Sequence, residues 1–193
     1  MLEALEFLHS KKVMVVHRDV TPENILYNKT DEFVLAGFSL ARYGTPMTVE
    51  YGRKFEYLAP EVCESSEETT AVDIWAVGVL CLDMLCHMKP INDKHRSFDQ
   101  MKQLDWCDCM CELARHVNKP EVKMMVVKRR VERSRAAEVL RFVRCNPSAQ
   151  TEPRRPKREL LYLITKENRA FGCWSEEEIC EFADGYLLHS GAN

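Results

Sequence analysis

Apolar residues fall at helical spacing from the start of the chain, where Leu2, Leu5 and Leu8, joined by Phe7, predict an amphipathic helix over residues 2–9. Val13 to Val16 predict a short buried strand leading into His17. Two runs, Ile25 to Tyr27 and Phe33 to Ala36, flank the turn residues Asn28 to Asp31 and predict a small hairpin. From Ala41 to Phe55 the chain is polar, with Gly44, Pro46 and Gly52, and an exposed loop is expected there. Residues 70–86, TAVDIWAVGVLCLDMLC, are apolar nearly all round a helix. Such a helix belongs at the centre of a domain, not on its surface. Looser helical patterns follow over about 97–117 and 120–130, then an amphipathic one over 134–143 through Ala137, Leu140 and Val143. Residues 146–158 are rich in Pro and basic side chains and predict a linker. In the tail, residues 159–193, Ser175 and Glu178 predict a capping box at the start of a last helix.

Composition narrows the class. A chain of 193 residues with 46% hydrophobic and 30% charged side chains is globular in character and long enough for one real core. A net charge of -3 gives no reason to expect nucleic acid or an acidic membrane surface. The apolar run Ile74 to Leu82 is too short to cross a bilayer and is followed by Asp83. The first residues carry acids and lack a small-residue cleavage site, so no signal peptide is expected. Nine cysteines, mostly within apolar helical patterns, suit reduced thiols and a cytoplasmic or nuclear location.

The chemistry lies in four short stretches. In HRDVTPEN, Asp19 offers a carboxylate able to accept a hydroxyl proton, and Asn24 a polar ligand for a metal-bound phosphate. YLAPEV contributes Glu61, DIWAVGV contributes Asp73, and VERSRAAEVL contributes Arg133. In this order and spacing the four resemble the C-terminal lobe of a eukaryotic protein kinase, over roughly residues 2–145. The resemblance implies a mainly α fold with small β-hairpins. It makes Asp19 the catalytic base, Asn24 a metal ligand, Asp73 a brace for the catalytic-loop backbone, and Glu61 and Arg133 a buried ion pair. It also places Leu26, Leu80 and Met84 in the stack beneath the adenine, and His17 and Phe38 in the regulatory stack. For the first three, a place in the core is the plain expectation. ATP and magnesium are the cofactors it implies, and a protein is the substrate or partner.

Departures from the family pattern cluster at the chemistry. The family's DFG reads GFS, so the position of the principal magnesium carboxylate is Gly37. Asn24 alone is a poor site for a hard cation that prefers carboxylates, and loss of the metal's anchor should slow transfer by about a thousandfold or more. Thr21 replaces the lysine usually found two residues after the catalytic Asp, and GRKFE before YLAPE lacks the usual threonine. The seven glycines include no G-x-G-x-x-G, and nothing before the first helix supplies the strand lysine or its glutamate, so the N-lobe is expected to be absent. The expectation is therefore a serine/threonine-kinase-like pseudokinase that works through protein binding, with no cofactor of its own. The alternative is the C-terminal part of an active ATP-dependent kinase whose N-lobe lies elsewhere, and a non-functional fragment is a third reading.

Weaker signals favour plain readings. Cys107, Cys109 and Cys111 with His116 suggest zinc, yet only Cys107 and Cys111 share a helical face, and buried thiols are expected instead. RRPKR, residues 154–158, suggests a nuclear-import or anion-binding patch, and CESSEE, residues 63–68, an acidic phosphorylation site at Ser65 or Ser66, but a solvated linker and an exposed loop are the expectations. Thr45, Thr48 and Tyr51 lie where an activation-loop phosphate would meet Arg18 by the same resemblance.

Overall fold

The computed structural model of the protein describes residues 1–27, 32–43, 54–64, 68–86, 88 and 100–146. Its elements run α1 (Leu2–Leu8), β1 (Val15–Val16), β2 (Ile25–Tyr27), β3 (Phe33–Leu35), β4 (Arg42–Tyr43), α2 (Pro60–Glu64), α3 (Ala71–Cys86), α4 (Gln100–His116), α5 (Pro120–Met125) and α6 (Ala136–Cys145). The described residues are mainly helical, with two small antiparallel strand pairs, the hairpin β2–β3 and the long-range pair β1–β4. The proposed linker and tail beyond Asn146, including Ser175 and Glu178, lie outside the described residues.

Helix α3 is the axle, buried without a break from Val72 to Leu80 as its all-round apolar sequence demands. One of its sides packs Trp75, Val79 and Leu82 against Trp106, Met110 and Leu113 of α4. The opposite side packs Ile74 and Val77 against Leu5 of α1, Leu35 of β3 and Val139 of α6. Helix α5 crosses so close that a Cβ on Gly78 would meet Val126 Cγ2 at 2.6 Å and Met125 Cβ at 2.8 Å. Glycine at 78 is what lets the two helices touch.

The hairpin expected across Asn28 to Asp31 is present, with Leu26 opposite Val34 and Tyr27 opposite Phe33. A second, unexpected pairing sets Val15 opposite Tyr43 and Val16 opposite Arg42. Two residues taken for loop therefore form a strand, because their backbone groups complete the ladder of β1. Three apolar positions also need correcting. Phe7 is 67% exposed, since the buried stripe of α1 centres on Leu5 and Phe7 lies off it. Leu80 is buried, but Leu26 and Met84 are 52% and 68% exposed, not core. Leu26 stands on a two-stranded ribbon beside exposed Val34, and among the described residues no further layer of sheet covers it.

Candidate functional site

The loop from His17 to Asn24 is held by one carboxylate. Asp73, 1% exposed near the start of α3, accepts the backbone N–H of His17 at Oδ2 and that of Arg18 at Oδ1, each at 2.8 Å. His9 at the end of α1 donates from Nε2 to the same Oδ2, also at 2.8 Å. Arg18 is thereby fixed with φ of 68°, in the left-handed region where a side chain is uncommon and held only by its surroundings. His17 Nε2–H donates to the Ala36 carbonyl at 2.8 Å, and its Nδ1 accepts the Asp19 N–H at 3.3 Å. This ties the loop to the end of β3. Phe38 meets the His17 ring edge-on, with centroids 4.7 Å apart.

Asn24 turns towards Asp19 through a single nitrogen. Its Nδ2 donates to the Asp19 backbone carbonyl at 2.8 Å and to Asp19 Oδ2 at 2.7 Å. The rest of its amide lies against Gly37. A Cβ built on Gly37 would stand 2.1 Å from Asn24 Oδ1 and 2.3 Å from its Cγ, and the backbone there is left-handed, with φ of 75°. The space that a side chain at position 37 would need is taken by Asn24. The two positions are matched to each other: glycine leaves the room, and Asn24 fills it.

The donor set beside Asp19 lacks the second carboxylate that would strengthen a magnesium site. Mg²⁺ takes octahedral oxygen ligands and is usually held by one or two carboxylates with phosphates and waters; among the described residues the Asp19 carboxylate accepts from the Asn24 amide, and that of Asp73 is taken up by His9 and the backbone N–H groups of His17 and Arg18. Among the described residues no group of three or more His, Cys, Asp or Glu side chains is placed to hold a metal ion. That holds too for Cys107, Cys109 and Cys111, whose thiols are pushed up by burial first, Cys109 to about 12 and Cys111 to about 11.

Beside Asp19 lies a recess of about 10 Å³, room for one water, bordered by Arg18, Thr21, Lys54, Tyr57 and Asp73. Thr21 is buried in its wall. Lys54 comes from the segment before α2 and pairs with Glu23 of the His17–Asn24 loop, which holds the Glu23 carboxyl below its usual range. Neither partner was singled out from the sequence, although GRKFE displays the lysine. The segment carrying Lys54 is pinned by α4, where Gln103 donates to the Phe55 carbonyl at 2.6 Å and Trp106 to that of Glu56 at 2.9 Å. From α3, Asp83 accepts the Tyr57 hydroxyl at 3.1 Å.

Farther from the loop, Arg133 and Glu61 meet face to face, NH1 to Oε1 at 2.6 Å and NH2 to Oε2 at 2.9 Å. Arg133 also donates to the carbonyls of Ala71 and Val127, and its guanidinium lies 5.1 Å from the centre of the Trp75 ring. Arg18 forms a second buried pair, with Glu68. Thr45, Thr48 and Tyr51 lie outside the described residues, so the reading that placed a phosphate on Arg18 has no described partner.

The family model for the protein kinase domain matches residues 1–166. The human cAMP-dependent protein kinase catalytic subunit PRKX is 41% identical over 90 residues, covering 47% of this chain and 25% of the relative. The Aurora kinase of Debaryomyces hansenii is 32% identical over 108 residues, 53% of this chain and 26% of that protein. The cAMP-dependent protein kinase catalytic subunit 3 of Drosophila melanogaster is 38% identical over 93 residues, 48% and 16% respectively. Other relatives carry serine/threonine-protein kinase in their names, and the chain spans 22% and 32% of the length of two of these.

Proposed function

The chain belongs to the protein kinase family, and from that membership we propose that it is a serine/threonine-kinase-like member with impaired phosphotransfer, acting by binding a protein partner. The observation that carries this reading is the fit between Gly37 and Asn24. A working kinase site holds its metal ions with a carboxylate at the DFG position and an asparagine on the catalytic loop. Here one position has no side chain, and the other has turned its amide to Asp19. Thr21, buried where the family usually carries a lysine, removes a positive contact as well.

What remains is binding architecture. Asp73 fixes the loop, and the Glu61–Arg133 pair fixes α2 against the late helices. These features support a rigid lobe presenting a surface to a protein. The natural partner class is protein, as for the family, and no cofactor is assigned to the chain.

The test is transfer of labelled phosphate from ATP to a generic protein substrate, with an Asp19→Asn variant beside the parent. Equal and negligible transfer by the two supports the reading, whereas transfer that depends on Asp19 refutes it. A second reading is favoured by the short span of the relatives' length covered here. In it, the chain is the C-terminal part of an active kinase, and adding an N-lobe segment restores Asp19-dependent transfer.

A further inference from the structure

We propose that the groove between α4 and the turn after α5 is the docking site of this chain's own tail, the acidic stretch from Ser175 to Leu188. The groove holds about 620 Å³, within the roughly 300–1,000 Å³ that proteins use to seat a ligand. Ala114 of α4 and Val126 and Val127 just after α5 give it an apolar floor. Its rim is charged and unbalanced. Asp108, Glu112 and Glu132 are each paired with a cation of the same rim, Lys128, Arg115 and Arg129 in turn. Lys123 is left over: it is exposed and makes no ion pair among the described residues. The turn also presents Val131, 76% exposed.

The tail has the complementary chemistry. Residues 175–188, SEEEICEFADGYLL, carry five acids and no basic side chain. Ile179, Phe182 and Tyr186 fall at i, i+3 and i+7, one apolar stripe of the helix expected there, and Glu176 and Glu178 border that stripe on its two sides. A helix laid into a groove uses anchors at this spacing. Seated by its stripe on the floor, it brings a bordering acid to the rim at Lys123. Length permits the contact. Helix α6, which leads from the groove's turn towards the tail, is about 15 Å long, and the 28 residues from 147 to 174 span about 30 Å as a random coil. The match to the kinase family stops at residue 166, so the docked segment lies outside the part shared with the family. This inference does not depend on whether phosphotransfer is impaired.

The test uses the full chain, as a mixture of unlabelled and isotope-labelled molecules, treated with a carbodiimide that joins carboxylates directly to amines. Mass spectrometry of the digest should find Lys123 joined to Glu176 or Glu178 within single chains. The Asp108–Lys128 contact of 2.6 Å supplies the internal standard for yield. Phe182→Asp removes an anchor and leaves both acids, and it should lower the link to Lys123 about tenfold. Hydrogen exchange over residues 126–132 should be slower in the parent than in Phe182→Asp or in Lys123→Glu. No link from Lys123 to the tail, or a link whose yield Phe182→Asp leaves unchanged, would overturn the proposal. Links found only between labelled and unlabelled chains would also overturn it and assign the groove to a second copy. Exchange that neither variant alters would overturn it and leave the groove to a separate protein.

Discussion

Glu61 and Arg133 are 72 residues apart in sequence and joined by two buried hydrogen bonds of 2.6 and 2.9 Å. The pair clamps α2, at the end of the segment that borders Asp19, to the turn before α6. Removing one partner of such a pair typically costs about 3–5 kcal/mol, because the other charge stays buried. Glu61→Ala and Arg133→Ala should each lower the urea midpoint strongly, and the double variant should lose much less than their sum. Arg133→Ala should be the worse single change, since Arg133 also serves the carbonyls of Ala71, Val127 and Lys128. Additive losses would contradict a coupled pair.

Gly37 is the second point of test. Gly37→Ala forces a Cβ into the Asn24 amide at 2.1 Å and places a side chain at φ of 75°. Strain and the displaced hydrogen bonds should together cost about 1–3 kcal/mol. Pairing the change with Asn24→Gly should recover part of the loss, read from chemical denaturation. Gly37→Asp meets the same collision, although Asp tolerates left-handed backbone better than most residues. It should not restore transfer of labelled phosphate, because Thr21 remains and Asn24 must leave Asp19 to admit it. Robust transfer by Gly37→Asp would reduce the defect to one residue.

Burial should protect the Cys107 and Cys109 thiols of α4 from reagents. The Cys107 thiol is pushed well above its ordinary range and Cys109 to about 12, in both cases by desolvation first. Cys145 is exposed at the end of α6. Alkylation at mildly alkaline pH, mapped by mass spectrometry, should therefore label Cys145 quickly and spare Cys107 and Cys109 until the chain is unfolded. Labelling of Cys107 at the rate of Cys145 would contradict the packing of α4.

The Glu23–Lys54 contact makes a small acid-side prediction. The side-chain hydrogen bond from Lys54 is the largest cause of the lowered Glu23 value, against an ordinary value of 4.5. A carboxyl whose folded value is depressed stabilises the fold above its unfolded value, and that stabilisation fades as pH falls through the folded value. Both side chains are about half exposed, so the effect on stability is slight. Lys54→Met should raise the Glu23 midpoint towards 4.5 in an NMR titration. An unchanged midpoint would place Lys54 away from Glu23.

How much of this was legible depends on how far the physics of each residue reaches along the chain. Helix α3 announces itself because burial on every side leaves an apolar residue at nearly every position. The hairpin across Asn28 to Asp31 is equally local, written in turn residues between apolar runs. Strand β4 is not, for Arg42 and Tyr43 are too few to show a period and earn their pairing from distant Val15 and Val16. Glu61, Asp73 and Arg133 could be paired with their partners only through the family resemblance, since no local pattern links residues so far apart. Glu68 stayed hidden inside an acidic run that reads as solvated, and its burial against Arg18 is a tertiary fact. The glycine at 37 was visible as a missing carboxylate, but the sequence does not reveal that the Asn24 amide occupies the space beside it.

That exchange between Gly37 and Asn24 is tested most directly by nucleotide binding, measured as a shift in melting temperature during ATP titration with and without magnesium. A site whose Asp19 carboxylate is engaged by Asn24, with glycine at 37, should give no saturable stabilisation at physiological nucleotide concentrations, and magnesium should make no difference. A saturable rise in melting temperature that appears only when magnesium is present would contradict it.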